Sequence, residues 1–244
     1  MKNIGLVISK SALDYTATEL REFLSNHGVV LFRNQYLSHA EQIQVMSRIG
    51  VIQNYVEQQA PKAYTDHTDP DVILLNNNDF LGKSRMGWHM DQTYLRSDYL
   101  PIRSLYCREV LGKNITEFAD IAVLTDAVLE EFNLTSFQEA KYYIDNLRTR
   151  FSQRSIFSAC KHIGRTLLRY DNRMEFVDRQ DSLAFKQFGQ SFLDSDACPK
   201  FSVDWQVNDF VIFDNNRCPH RRSEMNGQCK LSRLTSKFWY ENEK

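Results

Sequence analysis

Gly87-Trp88-His89-Met90-Asp91 is the stretch on which the reading of this chain turns. In an extended strand successive side chains alternate faces, so His89 and Asp91 are expected to point the same way, an imidazole beside a carboxylate. Two histidines and one carboxylate form the facial set that holds non-haem Fe(II) while leaving coordination positions open. Of the six histidines, His220 is the candidate for the third ligand. It follows the apolar run Phe210-Val211-Ile212-Phe213, which reads as a strand returning to the core.

The sequence around this pair resembles the taurine/2-oxoglutarate dioxygenase superfamily of Fe(II)-dependent oxygenases. Gly28-Val29-Val30-Leu31-Phe32-Arg33 is similar to its N-terminal strand, and Trp88-His89-Met90-Asp91-Gln92-Thr93-Tyr94 to its W-H-x-D-x-[ST]-[YF] segment. Thr116-Glu117-Phe118-Ala119-Asp120 is similar to T-x-F-A-[DN]. Asn208 to Asn215 resembles the approach to the distal histidine, and Lys230-Leu231-Ser232-Arg233 stands where the family has R-L-x-R. The resemblance covers nearly the whole chain.

It implies a mainly β fold with flanking helices around a double-stranded β-helix (jelly-roll) core, and a metal set of His89, Asp91 and His220. It also implies Fe(II) as cofactor with 2-oxoglutarate and O2 as co-substrates. 2-Oxoglutarate would chelate the metal and lose CO2 to give succinate, and a substrate C–H bond would be attacked. Arg233 would hold the far carboxylate of 2-oxoglutarate, since a guanidinium forks onto a carboxylate, with Thr116 donating to the same end. Arg222, Lys230 and Lys237 compete for Arg233's role. Asp91 favours hydroxylation, or desaturation derived from it, over halogenation, because halogenases of related fold lack this carboxylate.

Arg85 and Arg169 are candidates to meet an anionic or amino-acid-like substrate, and His67 lies in a polar loop that could line the pocket. Three further readings stay open at this point: a non-catalytic metal-binding jelly-roll module, a hydrolytic zinc enzyme and a desaturase.

The chain has 244 residues and 42% hydrophobic content, enough for one sizeable core, so a single domain over 1–244 is expected. Thirty basic and 31 acidic residues give a net charge of −1, which argues against nucleic acid or an anionic membrane as partner and for a small molecule; self-association stays open. No apolar run is long enough for a membrane span, and Met1 to Gly5 lack a signal-peptide core, so a cytoplasmic location is expected. Five cysteines without a C-x-x-C pair argue against a disulfide framework or zinc ribbon, and Cys218 reads as a packed thiol.

Capping boxes at Thr16–Glu19, Ser38–Glu41 and Ser136–Glu139 predict three helix starts. Strands are expected at Val29–Phe32, Val72–Leu75 and Pro101–Leu111, with Gly112 opening a loop that delivers Thr116. Helices are expected from Ala119 to Phe132 and from a cap at Asp181, the latter burying Ala184, Phe185, Phe188 and Phe192. His39 reads as a first-turn residue and not a ligand.

Overall fold

The structure, a computed structural model, describes residues 4–54, 66, 69–76, 85–93, 101–124, 126–131, 142–144, 156–160, 165–176, 179–223 and 227–238. The chain opens with β1 (Leu6–Ile8), α1 (Ala17–His27), β2 (Val29–Phe32), α2 (His39–Ser47) and β3 (Gly50–Ile52). Then come β4 (Ile73–Asn76), β5 (Met86–His89), β6 (Ile102–Leu111), β7 (Ile115–Ala119), α3 (Asp126–Glu131) and β8 (Tyr142–Ile144). Next are β9 (Phe157–Cys160), β10 (Arg165–Leu168), β11 (Met174–Phe176) and α4 (Arg179–Ser191). The last strands are β12 (Lys200–Asp204), β13 (Phe210–Phe213), β14 (His220–Arg222) and β15 (Gln228–Phe238).

Both N-terminal capping boxes form. The Thr16 hydroxyl accepts from the Glu19 amide while the Glu19 carboxylate accepts from the Thr16 amide, and Ser38 and Glu41 do the same. Gly28, at φ 69°, ends α1 and turns the chain into β2, a conformation glycine adopts without a Cβ penalty.

Two sheets carry the architecture. The larger has the order β1-β2-β13-β6-β15-β3, with β4 also paired to β15, and the smaller runs β12-β7-β14-β5. Period-2 alternation divides the larger sheet into two faces. Val30, Phe32, Ile102, Tyr106, Phe210, Ile212 and Leu234 pack under α1 and α2. Val29, Leu31, Leu105, Val211 and Phe213 face the smaller sheet's Phe118 and Val203. A third cluster joins Trp88 and Met90 to α4 through Phe185 and Phe188, as the phenylalanine spacing predicts, with Phe192 joining it from just beyond the helix end. Cys218 lies in the interior cluster, fully buried, and burial pushes its thiol well up, as expected of a packed thiol.

Some expectations need correction. The helix expected over Ala119–Phe132 is broken: Ala119 ends β7, a short 3-10 turn covers Ile121–Val123, and among the described residues of that range the α-helix is Asp126–Glu131. The Asp120 carboxylate explains the break, because it accepts from the Ala122 amide and pairs with buried Arg217 in place of a continuing helix. The loop expected at Gly112 covers 112–114 and leads into β7, which carries Thr116. Helix α4 begins at Arg179, so Asp181 sits in its first turn instead of capping it. The box at Ser136 lies outside the described residues. Among the described residues no helix is long and apolar enough to cross a membrane.

Candidate metal centre

Strand β5 ends at His89, and Met90 to Thr93 form a turn, so His89 and Asp91 do not share one strand as their spacing predicts. The chain bends because its hydrogen bonds go elsewhere. The Met90 amide donates to the Tyr170 carbonyl. Asp91 is clamped by the Asn215 side chain, which accepts from the Asp91 amide at 2.9 Å and donates to its carbonyl at 2.8 Å. Gln92 follows at φ 59°, a left-handed conformation that costs a non-glycine residue of order 1 kcal/mol and that such surroundings must hold in place.

The bend still brings the side chains together. His220 pairs in register with His89 across β14 and β5, and the two rings lie 4.4 Å apart. One ligating atom from each of His89, Asp91 and His220 lies within 4.8 Å of the other two. The His89 Nδ1–H donates to the Gly87 carbonyl at 2.8 Å, which presents Nε2 towards Asp91 Oδ1 at 4.0 Å. The donor set, two imidazoles and one carboxylate converging from two elements, fits a divalent metal of the non-haem iron type.

Electrostatics reinforce this fit. Burial pushes against charge on Asp91, but the Arg103 guanidinium, with His220, Arg233 and His89, holds its carboxyl well below the usual range. It is therefore a carboxylate at neutral pH. Burial, with His89 beside it, lowers His220 to about 3, so its imidazole is neutral and able to ligate.

That shift carries a stability prediction. Below an unfolded-state pKa near 6.5, His220 binds a proton when unfolded but not when folded. In the metal-free protein its contribution therefore falls by up to about 1.4 kcal/mol per pH unit from pH 6.5 down to about 3. Urea melts of wild type and His220→Gln across this window are expected to diverge, with the variant showing the flatter pH dependence.

Arg233 reaches the same carboxylate, its Nη1 3.9 Å from Asp91 Oδ2. Its Nε is buried without a hydrogen-bond partner among the described residues. The Thr116 hydroxyl accepts from the Trp205 indole N–H at 2.9 Å, which directs its own proton elsewhere. Arg222 lies across from Thr116 in the β14–β7 register, whereas Lys230, 41% exposed, pairs with Glu109.

The candidate substrate residues part company. Arg169 is buried, its guanidinium turned to the Thr93 carbonyl at 3.5 Å, behind the turn that carries Asp91. Arg85 is exposed and lines a cleft of about 510 Å³ with Trp88, Lys186, Asp194 and Arg221. Two of that cleft's cations are already engaged, Lys186 by Glu175 and Arg221 by Glu117 and Asp194. His67 lies outside the described residues.

The sequence reading missed Arg103, Trp205 and the clamp by Asn215. For Arg103 there was a signal, an arginine on the same alternation as the apolar Leu105 and Cys107 of β6. Nothing local distinguished Trp205. Asn215→Ala is expected to leave the fold intact and to weaken metal binding roughly tenfold, the scale on which a support of a ligand acts. Isothermal titration with Co(II) checks it.

Comparison with known proteins agrees with this geometry. The profile of the taurine catabolism dioxygenase TauD, TfdA family matches residues 2–235. No curated protein matches the chain. Among solved structures, a protein of Burkholderia xenovorans described as an alpha-ketoglutarate-dependent taurine dioxygenase superposes with a TM-score of 0.75 at 17% identity, covering 97% of this chain and 90% of its own. A second taurine dioxygenase from that organism gives 0.71 at 16%, over 97% and 88%. PvcB of Pseudomonas aeruginosa gives 0.69 at 15%, over 97% and 87%. At these identities the superpositions establish the fold, and the profile, matching nearly the whole length, establishes the family: the chain belongs to the TauD/TfdA family and is an Fe(II)- and 2-oxoglutarate-dependent dioxygenase.

Proposed function

We propose that the protein hydroxylates an unactivated C–H bond of a small anionic or amino-acid-like metabolite, with release of succinate and CO2, on a single double-stranded β-helix domain spanning 1–244. The observation that carries the reading is the convergence of His89, Asp91 and His220 within 4.8 Å. In this reading those three residues hold Fe(II), which supplies oxygen activation when bound together with 2-oxoglutarate.

The protein's own residues bind and orient. His89 is fixed in one tautomer by the Gly87 carbonyl, and Asn215 fixes the backbone of Asp91. Arg233, whose Nε has no hydrogen-bond partner among the described residues, and Thr116, with its hydroxyl oxygen occupied by Trp205, offer donors to the far carboxylate of 2-oxoglutarate. Phe118 and Phe213 pack on the His220 ring, at 5.8 and 4.9 Å, and exclude water from that side.

Charge supports an anionic substrate. Arg103 and Arg233 both flank one carboxylate oxygen of Asp91, so among the described residues two guanidinia face a single carboxylate before any metal enters. Surplus buried charge is costly; a divalent metal would add to it, a dianionic co-substrate would cancel the metal's own charge, and an anionic substrate would offset the remaining guanidinium. The test is succinate release above the uncoupled background, with Fe(II) and 2-oxoglutarate supplied, across matched anionic, zwitterionic and neutral compounds. Stimulation confined to the anionic and zwitterionic members is expected. Stimulation by neutral members alone would overturn the substrate class.

A further inference from the structure

Arg103 is among the largest side chains that the fold buries completely, 1% exposed on the interior face of β6. Its cross-strand neighbours are Phe213 on β13 and Thr235 on β15, and Leu105 follows on the same face. An aliphatic side chain would suit such company. A buried guanidinium costs several kcal/mol unless it is paired and hydrogen-bonded. Here it is hydrogen-bonded through Nη1, which donates to Thr235 Oγ1, and ion-paired through Nε, which lies 3.3 Å from Asp91 Oδ2 outside hydrogen-bond geometry.

The two oxygens of Asp91 are thereby divided. Oδ2 faces Arg103 at 3.3 Å and Arg233 at 3.9 Å, while Oδ1 faces His89 Nε2 at 4.0 Å. The backbone of the same residue is clamped by Asn215, so its carboxylate is fixed from both ends. A carboxylate can give a metal one oxygen or two. A metal held by His89, His220 and one oxygen of Asp91 would keep more of its coordination free for co-substrates than one held by both oxygens.

We propose that Arg103 is a positioning residue of the metal centre: it retains Asp91 Oδ2 so that the carboxylate offers only Oδ1, the oxygen on the side of His89. This rests on the reading of the triad as the metal site. Arg103 touches neither metal nor substrate and acts through Asp91, with Thr235 holding the guanidinium in turn.

The experiment is Co(II) titration of the purified full chain, followed by visible absorption and calorimetry, with circular dichroism to confirm folding. Arg103→Met is expected to weaken Co(II) binding about tenfold to a hundredfold, the range for loss of a group that orients a ligand, and to change the position and intensity of the Co(II) bands. Arg103→Lys is expected to recover part of the affinity. Thr235→Val keeps the charge but removes the guanidinium's anchor, and it is expected to shift the bands in the same direction by less.

An Arg103→Met protein that is folded and shows wild-type affinity and bands would overturn the proposal; should that variant not fold, unchanged bands in Thr235→Val would overturn it equally. His220→Gln separates the two levels. If it loses Co(II) while Arg103→Met does not, only the role of Arg103 fails. If His220→Gln binds Co(II) like wild type, the triad reading fails and takes this proposal with it.

Discussion

Asp91→Asn is expected to lower Fe(II) affinity by at least about a hundredfold, the upper end of what losing a mere support of a ligand does, and to abolish 2-oxoglutarate turnover. It removes the only anionic donor from the set of His89, Asp91 and His220. The same change leaves Arg103 and Arg233 facing a neutral amide. Breaking a fully buried pair by removing one partner costs roughly 3–5 kcal/mol. Asp91 is 23% exposed, so solvent screens part of this and about 2 kcal/mol is expected in the metal-free protein. Calorimetry for the metal and urea unfolding without it read the two effects separately. A variant that keeps Fe(II) affinity would remove Asp91 from the ligand set.

The second large effect belongs to Arg233. Its Nε is buried without a partner among the described residues, and its Nη1 lies 3.9 Å from Asp91. A charge-assisted contact of the guanidinium–carboxylate type contributes about 1.5–3 kcal/mol, so Arg233→Met is expected to weaken 2-oxoglutarate about tenfold to a hundredfold. Metal affinity should change little, because Arg103 still holds Asp91. Arg233→Lys is expected to restore only part of the loss, since an ammonium offers a point charge and not a planar fork. The readout is the apparent Kd for 2-oxoglutarate in the Fe(II)-loaded protein under anaerobic conditions. Full affinity in Arg233→Met would point to Arg222, which lies across from Thr116 in the β14–β7 register.

The parts of the molecule legible in the sequence are those set by local chemistry. The capping boxes at Thr16 and Ser38 formed because reciprocal hydrogen bonds within four residues need no tertiary partner. The run Phe210–Phe213 is buried on both faces, and a continuous apolar stretch of that length reads as a central strand. His89, Asp91 and His220 come together as the motif implied, yet the strand expected to carry His89 and Asp91 stops at His89. What bends it is Asn215, far away in sequence, and no periodicity argument at residue 91 contains that information. The helix expected after Ala119 failed for a similar reason, since Asp120 is committed to Arg217. Arg85 and Arg169 are substrate candidates by charge and by their places in the sequence, four residues before His89 and on the run that ends in Tyr170-Asp171. Neither feature says which way a side chain flanking a strand turns, and Arg85, just before β5, lines an outer cleft while Arg169, just after β10, turns to the Thr93 carbonyl.

The measurement that bears most directly on the account is anaerobic titration of the Fe(II)-loaded protein with 2-oxoglutarate, following the weak visible charge-transfer absorption of the chelate. A saturable band that reaches one equivalent and is absent from Asp91→Asn and His220→Gln is the predicted result. Stoichiometric Fe(II) binding with no band at any 2-oxoglutarate concentration, or an undiminished band in His220→Gln, would contradict it.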